Sequence, residues 1–168
     1  MANILILGAG SMGTAFSFPC TDNHHAVSIV GTHLENNFID QINSQNKHPT
    51  LNCEVPKSVK FSKFEKLGEE INKKVDLIVV AVISKGIEWA STELSKVMKG
   101  NIPILILTKG LAINNNNYEV LAHKMDRLMK KNGIKETNIS AAGGPCLAKG
   151  LANKIHTSVV FANTDIKI

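Results

Sequence analysis

The chain has 168 residues, of which 43% are hydrophobic and 20% charged, a composition typical of one ordinary globular domain with a buried core. Its formal net charge is +5, with lysines scattered over residues 57–74 and 124–135 on predicted helix surfaces. This scatter lacks the aromatic platform of a nucleic-acid-binding surface, so we expect no nucleic-acid partner. The positive charge favours small anionic ligands such as phosphates.

The sequence shows no sign of export or membrane insertion. No apolar run is long enough to span a bilayer. The apolar N-terminus lacks a basic segment and soon meets Gly8 and Gly10, which excludes a secretion signal. The cysteines, Cys20, Cys53 and Cys146, are odd in number and match no zinc spacing, so we expect reduced thiols and a cytoplasmic location.

Apolar runs alternate with amphipathic segments along the whole chain. The runs predict strands at residues 3–7, 27–30, 58–61, 77–82, 104–107, 138–142 and 158–162. Helical spacing predicts helices opening at residues 14–16, at residues 34–44, from Ile87 to Val97, through Tyr118, Leu121, Met125 and Leu128, and at residues 148–152. Pro19 should kink or shorten the first of these helices.

This alternation predicts an α/β fold with a doubly wound, mostly parallel sheet. Right-handed crossovers restrict the topology, and six main strands fit the order 3-2-1-4-5-6. No internal repeat, low-complexity segment or linker divides the chain. We therefore predict a single domain over residues 1–168.

A glycine-rich loop follows the first predicted strand and precedes the first helix. Gly8, Gly10 and Gly13 form the pattern G-x-G-x-x-G. In this context the first glycine allows a tight turn, the second lets a pyrophosphate approach the backbone, and the third lets helix and strand pack closely. Backbone amides around Ser11 and Met12 would face the anion from the helix N-terminus. The pattern predicts a Rossmann-type site for NAD or NADP.

The end of the second strand bears on cofactor choice. Selective NAD sites usually place an acidic residue there to bind the adenosine ribose. This chain has Thr32 and His33 instead, and the nearest acid, Glu35, follows the strand. We therefore predict that no carboxylate repels a 2′-phosphate and that NADPH binds within about tenfold of NADH. Thr32 and His33 can hydrogen-bond either a ribose hydroxyl or a phosphate, so we predict that both contact the cofactor. The alternative for His33 is an exposed loop histidine.

Three later strand ends carry residues suited to a ligand site, since ligands bind beyond the carboxyl ends of parallel strands. Val82 and Ser84 should pass close to the cofactor ribose. Lys109, directly after a buried strand, can bring an ammonium group to a carbonyl, an alkoxide or a phosphate. The alternative for Lys109 is an ordinary surface lysine.

The third of these strand ends contains Gly144 and Cys146. Cys146 has no histidine in its local motif, so a cysteine lining a backbone turn is favoured over a nucleophile. The remaining histidines lack the spacing of metal ligands, and we predict structural or exposed roles and no metal site. These are His24, His25, His48, His123 and His156.

Several of these motifs together resemble one family, the N-terminal domain of bacterial NAD(P)-dependent glycerol-3-phosphate dehydrogenase. The matching segments appear in family order over essentially the whole chain. They are GAGSMGTA at residues 8–15, IVGTHLE at 29–35, KHPTL at 47–51, VVAVIS at 79–84, TKGL at 108–111 and GPCLA at 144–148. The pair TKGL and GPCLA is the most specific part of the resemblance, whereas many families share the glycine loop.

The resemblance implies reversible hydride transfer between a nicotinamide cofactor and the dihydroxyacetone phosphate/glycerol 3-phosphate pair, within glycerophospholipid precursor synthesis. It implies that Ser11, Met12 and His33 line the dinucleotide site. It also implies that Lys109 contacts both cofactor and substrate and acts in catalysis, and that Ala148 lies near the nicotinamide.

The resemblance further places Gly144 and Cys146 at the substrate end of the site. The family commonly has an aromatic residue in place of Met12 and a serine in place of Cys146. Its members continue into a helical C-terminal domain with a second lysine and the groups that bind the substrate phosphate. The resemblance therefore implies that residues 1–168 are the cofactor half, and that the whole protein forms a homodimer.

Two other functions fit the glycine loop. One is the cofactor domain of another two-domain dehydrogenase, of the β-hydroxyacid or ketopantoate-reductase type, which is not expected to share both TKGL and GPCLA. The other is a non-catalytic dinucleotide-binding module, such as a redox sensor, which would bind the cofactor without turnover.

Overall fold

The computed structural model describes residues 1–165, in which strands and helices alternate. The strands in chain order are β1 (Asn3–Leu7), β2 (Ala26–Val30), β3 (Lys47–His48), β4 (Cys53–Glu54), β5 (Lys60–Ser62), β6 (Leu77–Val80), β7 (Ile104–Ile106), β8 (Leu111–Asn114), β9 (Asn117–Val120), β10 (Ile139–Gly143) and β11 (Val160–Ala162). The α-helices are α1 (Ser11–Asp22), α2 (Asn36–Gln45), α3 (Leu67–Ile71), α4 (Ile87–Val97), α5 (Leu121–Lys131) and α6 (Ala148–Ala152). The domain limit expected at residue 168 lies outside the described residues.

The central sheet has seven strands in the order β11-β10-β7-β6-β1-β2-β5. Six of them are parallel and keep the predicted order 3-2-1-4-5-6, which confirms the doubly wound class. The strand predicted at residues 158–162 had no place in that order; it forms β11, which pairs antiparallel with β10 at the edge of the sheet. The connection explains this pairing, because α6 has five residues and rises only about 7 Å. So short a helix does not return the chain to the opposite edge of the sheet, as a parallel crossover would require.

Two apolar clusters cover the two faces of the sheet, because alternate residues of a strand point in opposite directions. Leu5 packs in the cluster formed with α3, α4 and α5. Its neighbour Ile6 packs in the cluster formed with α1 and α2. Both side chains are fully buried. Burial on both faces accounts for the continuous apolar runs seen in the sequence.

The helix predicted to include Tyr118 begins later than expected. Residues 111–120 form a hairpin of β8 and β9, in which Ile113 pairs with Tyr118. Asn115 and Asn116 at its tip have φ values of 49° and 62°, as a two-residue turn with left-handed backbone requires. Tyr118 is 79% exposed, so the apparent helical spacing of this residue was a coincidence of sequence and α5 begins at Leu121.

Helix α1 begins at Ser11, before the predicted opening, and runs through Pro19 without stopping. The expectation that Pro19 shortens the helix was wrong, because α1 continues for three residues beyond it to Asp22. The Asn23 backbone N–H and side-chain amide both donate to the Pro19 carbonyl oxygen, at 3.1 and 2.8 Å, and close this end. Within residues 1–165, no helix has the length and apolarity needed to cross a membrane.

Candidate functional site

The three glycines of the loop after β1 differ in what a side chain at each position would contact. Gly8 has φ +111°, and a Cβ there would lie 2.8 Å from the Ala81 carbonyl oxygen. A Cβ on Gly13 would lie 2.2 Å from the Gly8 carbonyl oxygen. A Cβ on Gly10 would approach only a Glu35 carboxylate oxygen, at 3.7 Å. The fold itself therefore demands Gly8 and Gly13, whereas Gly10 leaves open space that an external ligand can use.

The N-terminus of α1 faces this open space. Gly10 is the N-cap residue, and no side chain within the described residues caps the helix. The first-turn amides, including those of Ser11 and Met12, have no acceptor within the helix. These amides and the helix dipole favour an anion at this point. The geometry fits the pyrophosphate of a dinucleotide.

Lys109 joins two loops at the carboxyl edge of the sheet. It follows β7, and its ammonium group donates to the Gly144 carbonyl oxygen at 2.5 Å and to the Cys146 carbonyl oxygen at 3.3 Å. Gly144 has φ +101°, and a Cβ there would lie 2.7 Å from the Ser158 carbonyl oxygen. The TKGL and GPCLA segments, far apart in sequence, therefore meet through one side chain.

A cavity of about 410 Å³ opens between α1 and the β7, β10 and β11 side of the sheet. Most of its lining is apolar. The lining includes Met12, Phe16, Leu107, Lys109, Cys146 and Phe161. Ala148 is not part of this lining and packs with Ala15 and Phe18 where α6 meets α1. The cavity thus joins the helix N-terminus to the Lys109 loop and has room for a planar ring.

The family model for the N-terminus of NAD-dependent glycerol-3-phosphate dehydrogenase matches residues 3–168. The chain belongs to this family. It is 28% identical over 160 residues to the NADP(+)-dependent glycerol-3-phosphate dehydrogenase of Archaeoglobus fulgidus, covering 95% of this chain and 46% of that relative. It is 30% identical over 167 residues to the Francisella tularensis glycerol-3-phosphate dehydrogenase [NAD(P)+], covering 98% of this chain and 47% of that relative.

The crystal structure of glycerol-3-phosphate dehydrogenase from Coxiella burnetii shows the same fold. It superimposes with a TM-score of 0.81 at 20% identity, over 99% of this chain and 48% of that one. The chain therefore spans about half the length of these relatives. The family is described as NAD-dependent, and the two relatives are named as NADP(+)- and NAD(P)+-dependent enzymes.

The structure corrects the prediction that no carboxylate lies at the end of β2. A tight turn, closed by the Glu35 N–H donating to the Thr32 carbonyl oxygen at 2.9 Å, folds residue 35 back toward the glycine loop. Glu35 Oε2 accepts the Thr32 N–H at 2.7 Å and the Ala9 N–H at 3.1 Å. Glu35 lies five residues beyond the end of β2, and that spacing alone does not show the turn. An acidic group therefore does lie beside the glycine loop.

His33 is exposed at the same strand end, and its ring lies 5.1 Å from that of Trp89 on α4, the sole tryptophan of the chain. Phe64 contacts both rings. This aromatic group escaped the sequence analysis because its members come from three separate segments. Ser84 is exposed at the start of the turn into α4, whereas Val82 is buried and its carbonyl oxygen accepts the Thr108 hydroxyl.

His48 is a second residue whose position the sequence did not reveal. It is fully buried, and its Nδ1 accepts the Leu51 N–H at 3.0 Å. Its Nε2 therefore carries the proton and donates to the Ala9 carbonyl oxygen at 3.1 Å, which Thr14 Oγ1 also reaches at 3.1 Å. The available signal was the KHPTL segment, but nothing in its spacing showed which loop His48 would contact.

The cysteines and the other histidines form no metal site within residues 1–165. All cysteines are free thiols, and burial raises the pKa of Cys20 to about 11. Cys146 is buried beside the Gly144 turn, at 6% exposure. Its place fits a cysteine lining a backbone turn.

The glycine constraints predict opposite outcomes for two substitutions in the loop. Gly10→Val should leave the protein folded, because its Cβ meets open space, but should weaken NADH binding by at least about 100-fold through overlap with the pyrophosphate. Gly13→Ala should destabilise the fold by at least about 2 kcal/mol, because its Cβ meets the backbone. Urea unfolding and NADH titration of both variants test this. Unchanged NADH affinity in folded Gly10→Val protein would refute the loop assignment.

His48 predicts a pH dependence of stability. Burial lowers the pKa of His48 below its ordinary value of 6.5. The folded protein thus binds the extra proton less tightly than the unfolded chain does. The contribution of His48 to the free energy of unfolding is therefore fully present above pH about 6.5 and declines as the pH falls below that value. Urea unfolding at several values between pH 7.5 and 5.5 should show this decline. This decline in stability should be smaller in His48→Gln. It should be unchanged in the control His123→Gln, which alters an exposed histidine on α5. An equal decline in His48→Gln would contradict the assignment.

Proposed function

We propose that this chain is the cofactor-binding domain of an oxidoreductase that transfers a hydride between NAD(P)H and dihydroxyacetone phosphate, or back from sn-glycerol 3-phosphate. The observation that carries the proposal is the bridge from Lys109 to the Gly144 and Cys146 carbonyl oxygens, in a cavity that Met12 of the uncapped first turn of α1 also lines. This bridge gathers the two most family-specific segments at one end of the cavity. A non-catalytic dinucleotide-binding module would not require an ammonium group at this position.

The nicotinamide cofactor, when bound, supplies or accepts the hydride. The chain's own residues supply binding and orientation. The α1 amides of Ser11 and Met12 hold the pyrophosphate, and the apolar cavity wall at Met12 and Phe16 keeps water from the reacting face. Burial in such a site strengthens every charge interaction within it.

Lys109 is proposed to act on the substrate oxygen. An ammonium group has three N–H bonds, and the two loop carbonyl oxygens accept from two of them. The third N–H is left to donate to the carbonyl oxygen of dihydroxyacetone phosphate. Because negative charge grows on that oxygen as the hydride arrives, the fixed positive charge stabilises the transition state more than the ground state. The loop carbonyls hold Lys109 in place for this role.

We propose that the remaining groups of the reaction come from a part of the whole protein that corresponds to the half of the relatives this chain does not match. The relatives are about twice as long as the aligned region. A proton acceptor for the substrate hydroxyl and a binding site for the substrate phosphate would come from there. We propose that the whole protein is a cytoplasmic homodimer, without nucleic-acid partners, that supplies glycerol 3-phosphate for glycerophospholipid synthesis.

We expect this chain to bind the cofactor without catalysing the reaction. The 168-residue chain should bind NADH but oxidise no glycerol 3-phosphate, because hydride transfer also needs the substrate held against the nicotinamide and a base for its proton. In an intact enzyme carrying this domain, Lys109→Ala should lower kcat by at least about 100-fold and change NADH affinity by less than about threefold. Steady-state assays and NADH titrations measure both quantities.

Lys131→Ala provides the matched control, because Lys131 is an exposed lysine at the end of α5. It should behave as the unaltered enzyme does. Ready turnover by the 168-residue chain alone would overturn the two-part mechanism. Unaltered kcat in Lys109→Ala would overturn the role of that lysine, and reduction of ketopantoate in place of dihydroxyacetone phosphate would overturn the substrate assignment.

A further inference from the structure

The peptide between Ala9 and Gly10 joins the buried side of the glycine loop to its outer side. The Ala9 carbonyl oxygen accepts from His48 Nε2 and from Thr14 Oγ1, each at 3.1 Å, and both donor residues are fully buried. In a planar trans peptide the C=O and the following N–H point in opposite directions. Because the Ala9 carbonyl points into the protein, the Gly10 N–H points away from these donors, to the outer side of the loop.

The Gly10 N–H is available to a ligand. Within residues 1–165 it has no hydrogen-bond acceptor, and Gly10 is only partly buried. It directly precedes the amides of Ser11 and Met12, which have no acceptor within α1, so all these N–H groups can serve one anion. Hydrogen bonds in a chain polarise one another. Donors on the Ala9 oxygen therefore both direct the Gly10 N–H and strengthen it as a donor.

The surroundings of His48 determine which ring nitrogen reaches Ala9. The Leu51 N–H donates to Nδ1 at 3.0 Å, which leaves the proton of the neutral ring on Nε2. The Phe38 ring meets the imidazole edge-on, with centroids 4.8 Å apart, and restricts its orientation. The Leu51 contact is local, whereas the Ala9 contact spans 39 residues of chain. One nitrogen thus supports the local turn, and the other reaches the glycine loop.

We propose that His48 is a positioning residue for the dinucleotide, an inference that rests on the proposed function. Its Nε2–H sets the orientation of the Ala9–Gly10 peptide, so that the Gly10 N–H donates to the pyrophosphate. His48 is buried and acts only through the Ala9 carbonyl oxygen. Another side chain that donates to this oxygen from the same place should therefore replace it.

Two substitutions separate the roles of the two ring nitrogens. Glutamine places its amide nitrogen near the position of Nε2, so His48→Gln keeps a donor for Ala9 and loses the acceptor for Leu51. Asparagine places its amide oxygen near the position of Nδ1, so His48→Asn does the reverse. His48→Asn should weaken NADH binding at least about fivefold, as one lost hydrogen bond would, and His48→Gln should stay within about twofold of the unaltered chain.

NADH titration of the 168-residue chain, followed through the fluorescence of Trp89, the sole tryptophan, measures these affinities. Urea unfolding of the same variants provides the comparison with stability. If His48 only stabilised the fold, NADH affinity would follow the free energy of unfolding and would not depend on which nitrogen is replaced. The controls His123→Asn and His123→Gln alter an exposed histidine on α5 and should change neither quantity.

Amide NMR supplies a spectroscopic readout of the Gly10 N–H itself. When the unaltered chain is saturated with NADH, the Gly10 amide proton should move downfield, as a bond to a pyrophosphate oxygen requires. In saturated His48→Asn this movement should be clearly smaller, whereas the amides of Ser11 and Met12 should still respond. A purely structural role for His48 would not single out Gly10.

Thr14 offers an independent pair of variants if His48→Asn does not fold. Its hydroxyl donates to the same Ala9 carbonyl oxygen. Thr14→Val keeps the shape but removes this donor, and should also weaken NADH binding about fivefold. Thr14→Ser keeps the donor and should bind NADH within about twofold of the unaltered chain.

Equal NADH affinity in His48→Asn and His48→Gln, or in the Thr14 pair where His48→Asn is unfolded, would overturn the inference and leave the proposed function intact. A Gly10 amide that stays unmoved while those of Ser11 and Met12 shift would overturn it as well. Failure of the folded, unaltered chain to bind NADH would overturn the proposed function and this inference together.

Discussion

The Gly8 carbonyl oxygen lies where a side chain on residue 13 would have to be, with only 2.2 Å between that oxygen and a Cβ. This contact sets α1 directly against the end of β1 and places its N-terminal amides at the carboxyl edge of the sheet. The cavity, the Lys109 loop and the end of β2 are all arranged around that helix end. One backbone contact thus determines both how the first layer packs and where the uncapped amides of α1 lie.

The same loop is held by side chains of α1 and of two residues much later in the chain, Glu35 and His48. Ala9 is fully buried; its N–H donates to Glu35, and its carbonyl oxygen accepts from Thr14 and His48. Buried backbone groups need such partners, since water does not reach them. The partners also fix the loop before a ligand arrives, which lowers the entropy lost on binding. One hydrogen-bonded network therefore stabilises the conformation of the glycine loop.

Features encoded within a short stretch of chain could be read from the sequence. The apolar run of β1, the glycine pattern and the helical spacing of α4 each predict their own structure, and alternation then predicts the doubly wound class. Features that depend on the chain folding back against an earlier segment could not be predicted from the sequence. Glu35 reaches the glycine loop only through a turn, and His48 reaches it only after α2 has packed. The bridge from Lys109 to Gly144 likewise spans 35 residues.

The proposed function requires a dinucleotide to lie along the carboxyl edge of the sheet, with its pyrophosphate on the N-terminus of α1. Amide NMR of the isotope-labelled chain during NADH titration tests it most directly, because every backbone N–H outside proline reports separately. We expect the largest shifts at the amides of Ser11 and Met12, with accompanying shifts at the Trp89 indole and near Lys109. Shifts confined to the β8–β9 hairpin or the opposite edge of the sheet, with the α1 amides unmoved, would contradict the claim.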